Sequence, residues 1–77
     1  MATKNLTFKT KRIYAKSGKI NFDSPFSQKC VIVMLADYSG DNNTISKLSI
    51  ESFDVDGFIF HTSSNSDDTI FYLALGY

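Results

Sequence analysis

The residues that could perform chemistry in this chain are few and widely spaced. Nucleophilic catalysis needs a nucleophile beside a base and an orienting group. The only histidine, His61, stands alone in the strand-like stretch FIFHT. Two carboxylate pairs, Asp54 with Asp56 and Asp67 with Asp68, fall in polar turns, where nothing apolar would raise a pKa as glycoside hydrolysis requires. The sequence therefore predicts no catalytic residue and no enzyme activity.

Metal and cofactor chemistry is equally poorly supported. Cys30 is the only cysteine, so neither an intramolecular disulfide nor a zinc ligand set can be assembled. The stretch DYSGDNN, residues 37–43, offers oxygen ligands, but its spacing differs from that of a calcium-binding loop and it lacks the terminal glutamate. The four glycines stand apart, so no phosphate-binding loop is present. We expect no metal site and no cofactor.

Polar loops are the remaining candidates for a binding site. Asp, Asn, Ser and Thr side chains can donate and accept hydrogen bonds at the hydroxyls of a sugar, and a tyrosine ring can stack on the sugar ring. The candidate ligand-binding residues are Asp37, Tyr38, Asp41, Asn42, Asn43, Asn65, Asp67 and Asp68. Ordinary hydrophilic loops have the same composition, so this interpretation and a non-binding one both stay open.

The charges are sorted along the chain although the formal net charge is zero. The first 29 residues hold seven basic side chains against Asp23 alone, a balance of +6, and the remainder holds Lys47 against seven acidic side chains, a balance of −6. Two opposite halves can neutralise each other within one fold or between subunits. Lys9, Lys11 and Arg12 could otherwise contact nucleic acid, but no RNA-binding motif accompanies them. We expect no nucleic-acid partner.

The elements that must position these loops are predicted to be strands. No window shows apolar residues at helical spacing, whereas short β-branched and aromatic runs recur with turn residues between them. About six strands, with turns at Ser17-Gly18 and Asp56-Gly57, predict an all-β, small antiparallel β-sandwich in a single domain, residues 1–77. A slip of the apolar phase between Thr10 and Ile13 suggests a bulge, or two short strands in place of one. Residues 1–17 form an N-terminal strand region that could pair within this sandwich or with a neighbouring subunit.

Two runs are apolar on both faces. CVIVMLADY, residues 30–38, reads as a central strand covered on each side. The ending IFYLALGY, residues 70–77, is far shorter than the roughly 20 apolar residues of a membrane helix, so no membrane insertion is expected. A small sandwich has one core, which covers one face of this last strand, so the second face predicts a partner subunit. The predicted oligomer interface is formed by Ile70, Tyr72, Ala74 and Tyr77.

Four motifs in order resemble a known family. INFDSPF (residues 20–26), CVIVMLADY (30–38), DVDGFIF (54–60) and FYLALGY (71–77) are similar to motifs of the H-type lectin domain, and more so to the C-terminal, receptor-binding tip domain of bacteriophage tail fibres. The resemblance covers residues 18–77, the lectin-like core. It implies a six-stranded antiparallel sandwich that assembles as a trimer, with the closing strand near the threefold axis.

The resemblance does not carry over a sugar-binding set. In the snail lectins of this family an arginine on a middle strand, an aspartate in the N-terminal segment and a histidine and tyrosine before the last strand hold the sugar. Here the strand ISKLSIESF has no arginine, and the segment SSNSDD has neither histidine nor tyrosine. N-acetylgalactosamine specificity is therefore not implied.

The sequence as a whole predicts a non-enzymatic homotrimeric recognition module that binds a cell-surface glycan or other receptor. The rival interpretation is a structural virion protein that contacts only other virion proteins. The N-terminus MATKNLTFKTK lacks the apolar core of a signal peptide, so we expect the protein in the virion, as part of a phage tail, or in the cytoplasm before assembly.

Overall fold

A computed structural model describes residues 5–38 and 47–77 and is all-β in those ranges. The strands are β1 (Thr7–Ala15), β2 (Gly18–Asn21), β3 (Cys30–Asp37), β4 (Leu48–Phe53), β5 (Gly57–Thr62) and β6 (Asp68–Gly76). They form two three-stranded antiparallel sheets, with strand orders β1-β6-β3 and β2-β5-β4. The predicted class, a small six-stranded antiparallel sandwich, is confirmed.

The core lies between the two sheets and is rich in aromatic rings. Phe22 packs against Phe26, Phe58 and Tyr72 with ring centroids 5.4 to 6.0 Å apart, and Phe58 and Tyr72 meet edge to face at 5.2 Å. Offset and edge-on rings are the favourable arrangement of aromatic quadrupoles. The remaining buried side chains are Cys30, Val33, Phe60, Ile70 and Ala74. This core joins the β2–β3 connection to both sheets.

β1 is an unbroken strand that pairs with β6 of the same chain, from Thr7 opposite Gly76 to Ala15 opposite Asp68. The prediction of a bulge, or of two short strands, between Thr10 and Ile13 is therefore wrong. Alternate residues of a strand face opposite sides, and the register leaves Phe8 on the outer side while Ile13 faces the core. The apparent slip arose because Phe8 faces outwards, whereas Ile13 faces the core. The pairing also shows that this part of the N-terminal region belongs to its own sandwich.

β3 lies at an edge of its sheet and β6 lies in the centre, the reverse of the prediction for residues 30–38. Ile32 and Met34 are exposed on the outer side of β3, while Val33 faces the core. The pattern is apolar on both faces because one face packs in the core and the other is an uncovered surface.

Tight turns set the ends of the second sheet, as the sequence predicted. The Asp54 carboxylate accepts hydrogen bonds from the backbone N–H groups of Asp56, at 2.9 Å, and Gly57, at 3.1 Å, which closes the β4–β5 hairpin. Gly57 lies so close to β2 that a Cβ there would overlap the carbonyl oxygen of Ile20. Gly18 has a φ of 152°, which favours glycine.

Candidate functional site

The predicted polar residues lie at one end of the sandwich as far as the structure describes them. The backbone N–H of Tyr38, just after β3, donates to the carbonyl of Thr69 in β6, and this joins the end of β3 to the start of β6. Asn65 and Asp67 are exposed in the β5–β6 connection, and Asp37 and Asp68 are half-buried beside it. The other candidates lie outside the described residues: Asp41, Asn42 and Asn43. We call this region the loop end.

Tyr38 is held in place by two neighbours. Its ring meets Phe71 edge to face at 5.2 Å, and the Arg12 guanidinium carbon lies 5.6 Å from its centroid. A cation over an aromatic face is attracted by the ring quadrupole. Tyr38 nevertheless remains 53% exposed, so a preoriented aromatic surface is available at the loop end.

Much of the β5–β6 connection is hydrogen-bonded to itself. The Ser64 hydroxyl donates to the carbonyl of Ser66 at 2.8 Å and accepts from its N–H at 3.3 Å. The Asp68 carboxylate accepts from the N–H of Thr69 at 2.9 Å. These local bonds fix the loop backbone and leave the exposed side chains of Asn65 and Asp67 directed to solvent.

His61 has an exposed ion-pair environment. Its Nε2 lies 2.9 Å from Glu51 Oε1, and both side chains are more than half exposed, on the outer side of the second sheet. Within residues 5–38 and 47–77, no three His, Cys, Asp or Glu side chains are grouped so as to hold a metal ion. No helix in those ranges is long and apolar enough to cross a membrane.

Three of the four residues predicted to form the oligomer interface lie in the core of the single chain. Ile70 and Ala74 are fully buried and Tyr72 is 4% exposed, all within the core of the single chain. Burial largely accounts for the raised pKa of the Tyr72 phenol, with a smaller contribution from the charge of Asp23. Tyr77 is half-buried, and its carbonyl accepts from the N–H groups of residues 28 and 29. The sequence pattern correctly separated the two faces of β6, but the face chosen for the interface is the one that packs in the core of the single chain.

The other face of the β1-β6-β3 sheet is apolar and open. We define the apolar face as the outward side chains Phe8, Tyr14, Ile32, Met34, Phe71, Leu73 and Leu75. Five of these remain between 41% and 72% exposed, and the two leucines are partly covered. Thr10 and Ala36 are small enough to leave a groove of about 320 Å³ between the larger side chains. Arg12, paired with the ring of Tyr38, is the one charged side chain on this side among the described residues.

The outer side of the other sheet has a different composition. Lys19, Ser49, Glu51 and His61 are exposed there, and Ile59 is half-buried between them. An antiparallel sheet facing water normally alternates apolar inward and polar outward residues. The second sheet follows that rule and the first does not, so the apolar face is a specific feature of one side of the molecule. Sequence reasoning missed Phe8 and Met34, although the signal was present in residues 31–34, which are all apolar.

Comparison with known proteins supports a fibre-like fold. No protein-family model and no curated protein matches the chain. Among solved structures, the fold is similar to a C-terminal fragment of the R2 pyocin fibre of P. aeruginosa, with a TM-score of 0.68 and 14% identity over 94% of this chain. The chain spans 20% of that fragment. At this identity the likeness concerns the fold, which is an all-β arrangement also used in a fibre.

Proposed function

We propose that this protein is a non-enzymatic, trimeric module of a virion fibre that binds a cell-surface glycan or another receptor through its loop end. The observation that carries the proposal is the apolar face on a fold similar to a pyocin fibre. Contiguous apolar patches of several hundred Å² on soluble proteins mark interaction sites. If this side of the module is buried between subunits, the ends of the sandwich remain available to a receptor.

The size of the apolar face suits a subunit interface. Aromatic side chains bury about 150 to 250 Å² each when fully covered. Three partly open aromatic and four partly open aliphatic side chains therefore offer roughly 500 Å². Stable interfaces bury about 800 Å² per partner. The apolar face would therefore supply most of an interface, and surrounding polar residues would complete it.

The loop end supports receptor binding by its chemistry. Tyr38 presents an oriented ring, and Asn65 and Asp67 present an amide and a carboxylate on a loop whose backbone is fixed by its own hydrogen bonds. Rigidly positioned loops carry much of the binding function of β-sandwiches.

Binding of labelled protein to a glycan array and to a panel of bacterial cells tests this role. Asn42→Ala combined with Asp67→Asn should abolish binding and leave the oligomeric mass unchanged. Asp56→Asn, an exposed acid in the turn at the other end of the sandwich, is the matched control and should bind normally. Equal binding by the loop-end variant and the control would contradict the proposal for these loops.

A second candidate function is a structural virion part whose loops bind nothing. The hydrogen bonds within the Ser64–Ser66 turn favour it, since they already use several polar groups of the loop. Under this alternative no cell type or glycan binds the protein, while the oligomer forms as before.

A further inference from the structure

A polar cleft lies beside the free edge of β1, away from the loop end. Its volume is about 340 Å³, at the lower end of the range for small-molecule pockets. It is lined by Phe8, Lys9, Thr10, Asp23, Ser24 and Tyr72. We call it the edge cleft. One wall is strand β1, and the opposite wall is the connection that follows β2.

The acidic side of the edge cleft is held in a fixed position. Lys11 Nζ donates to both oxygens of the Asp23 carboxylate, at 2.9 and 3.2 Å. Two carboxylate oxygens can accept about four hydrogen bonds in total, so Asp23 keeps acceptor capacity for a ligand. Its side chain is 77% exposed, so a ligand can reach the remaining acceptor positions.

Tyr72 brings a donor to the same place. The Tyr72 ring packs against Phe22 and Phe58 in the core, and Tyr72 is also one of the residues that line the cleft. The charges of Asp23 and Lys11 both influence the pKa of its phenol, after burial itself, so the hydroxyl lies near that ion pair. The phenol can donate a hydrogen bond to a ligand oxygen in the cleft.

The other side of the edge cleft is aromatic and cationic. Phe8 is 66% exposed at its mouth. Lys9 Nζ lies 4.7 Å from the centroid of Phe26, which positions the ammonium and leaves its N–H groups available to an oxygen ligand. The cleft thus combines an exposed ring with acceptor and donor groups.

The mixture of groups selects among ligand classes. An apolar ligand would desolvate the Asp23 carboxylate without a hydrogen bond, which is costly. A fully ionised anion would meet a balance of +1 from Lys9, Lys11 and Asp23, but it has no hydrogen to donate and would leave the free acceptor positions of Asp23 unused. A neutral ring with adjacent hydroxyls can donate hydrogen bonds to the carboxylate and accept one from the phenol. The C–H surface of the same ring can pack on Phe8.

We propose that the edge cleft is a second ligand site, which binds one neutral sugar ring. Adjacent sugar hydroxyls donate hydrogen bonds to the Asp23 carboxylate, and the Tyr72 hydroxyl and the Lys9 ammonium donate hydrogen bonds to sugar oxygens. The sugar class agrees with the proposed function, but this site is separate from the loop end and is tested separately.

Titration of the ¹⁵N-labelled protein with methyl glycosides of glucose, galactose, mannose and N-acetylglucosamine, followed by amide NMR, tests the assignment. One or more glycosides should cause saturable shifts at Lys9, Thr10 and Ser24, with a dissociation constant in the millimolar range expected for so small a ligand. Ethylene glycol, which has adjacent hydroxyls but no ring, should cause none. Asp23→Asn should weaken binding about tenfold or more, the effect of losing charge-assisted hydrogen bonds.

Two further variants separate this site from the loop end. Tyr72→Phe keeps the core ring and removes only the hydroxyl, so it should weaken the same titration while the fold remains intact. Asp67→Asn should leave the shifts at Lys9, Thr10 and Ser24 unchanged, whatever its effect on shifts at the loop end. Shifts confined to residues 63–68 that are lost in Asp67→Asn would overturn the edge cleft and support the loop end. Absence of shifts with all four glycosides, or equal affinity in wild type and Asp23→Asn, would also overturn it.

Discussion

A charge placed on the apolar face should separate the subunits without unfolding them. Met34 is the most suitable position, since it lies on an edge strand, lines the groove of this face and is 56% exposed in the single chain. Met34→Glu leaves the carboxylate in water when the subunit is alone. Surface substitutions of this kind change the stability of a single chain by about 0.5 kcal/mol or less.

The cost appears only on association. Covering the open half of a methionine side chain contributes about 1 kcal/mol, which the glutamate forfeits. An uncompensated charge buried in an interface costs about 3 to 5 kcal/mol. The sum, about 4 to 6 kcal/mol per subunit, corresponds to a factor of roughly 10³ or more in the association constant per subunit. A trimer of micromolar stability would therefore dissociate at ordinary working concentrations.

Sedimentation velocity with circular dichroism measures both quantities. Met34→Glu should sediment as a monomer and retain the β spectrum of the wild type. The matched control is Ser49→Glu, which adds the same charge to the polar outer side of the other sheet and should keep the wild-type oligomer. An oligomer that withstands Met34→Glu but not Ser49→Glu would show that the reasoning has chosen the wrong side of the sandwich.

Three other predictions concern single sites. Gly57→Ala should destabilise the fold by about 1 to 3 kcal/mol in urea unfolding, because its Cβ would overlap the Ile20 carbonyl and lie 2.9 Å from Asn21 Cα, forcing β2 and β5 apart; wild-type stability would contradict this close approach. The Asp54 pKa is held below its usual value of 3.8, first by the Asp56 N–H. This contribution to stability is therefore present above pH 4 and lost as pH falls through the folded pKa, and Asp54→Asn should remove that part of the acid dependence of unfolding; an identical pH profile would argue against it. Cys30 is 5% exposed and burial raises the pKa of its thiol, so a thiol reagent at neutral pH should label it readily only in denaturant; rapid labelling of the folded protein would place it at the surface.

The sequence was sufficient to predict the class and number of elements because local signals determine both. Alternation in KINF and LSI, and the Asp56-Gly57 turn, are properties of a few adjacent residues, and the structure has strands and a turn at those places. The loop end could be predicted in the same way, from polar residues between strands.

Strand order and the direction of each face could not be predicted from the same signals. Both faces are apolar in residues 30–38 and in residues 70–77. Only the strand order shows which of these two strands lies in the centre of the sheet. In β1 the inward positions include Lys9 and Lys11, whose stems cover the core edge while their ammonium groups reach Phe26 and Asp23. A binary apolar pattern reads such lysines as outward, so it places Phe8 in the core. The edge cleft could not be predicted from local signals either, because its two walls are 13 or more positions apart in sequence.

The most direct test of the account is the absolute mass of the wild-type protein in solution, measured by light scattering on a sizing column at low and high salt. A trimer that persists at about 0.5 M salt, where the Debye length is about 4 to 5 Å, is the predicted result, because association through the apolar face does not depend on charge. A trimer that dissociates in salt would indicate docking by the sorted charges. A folded monomer at both salt concentrations would contradict the central claim that the apolar face is buried between subunits.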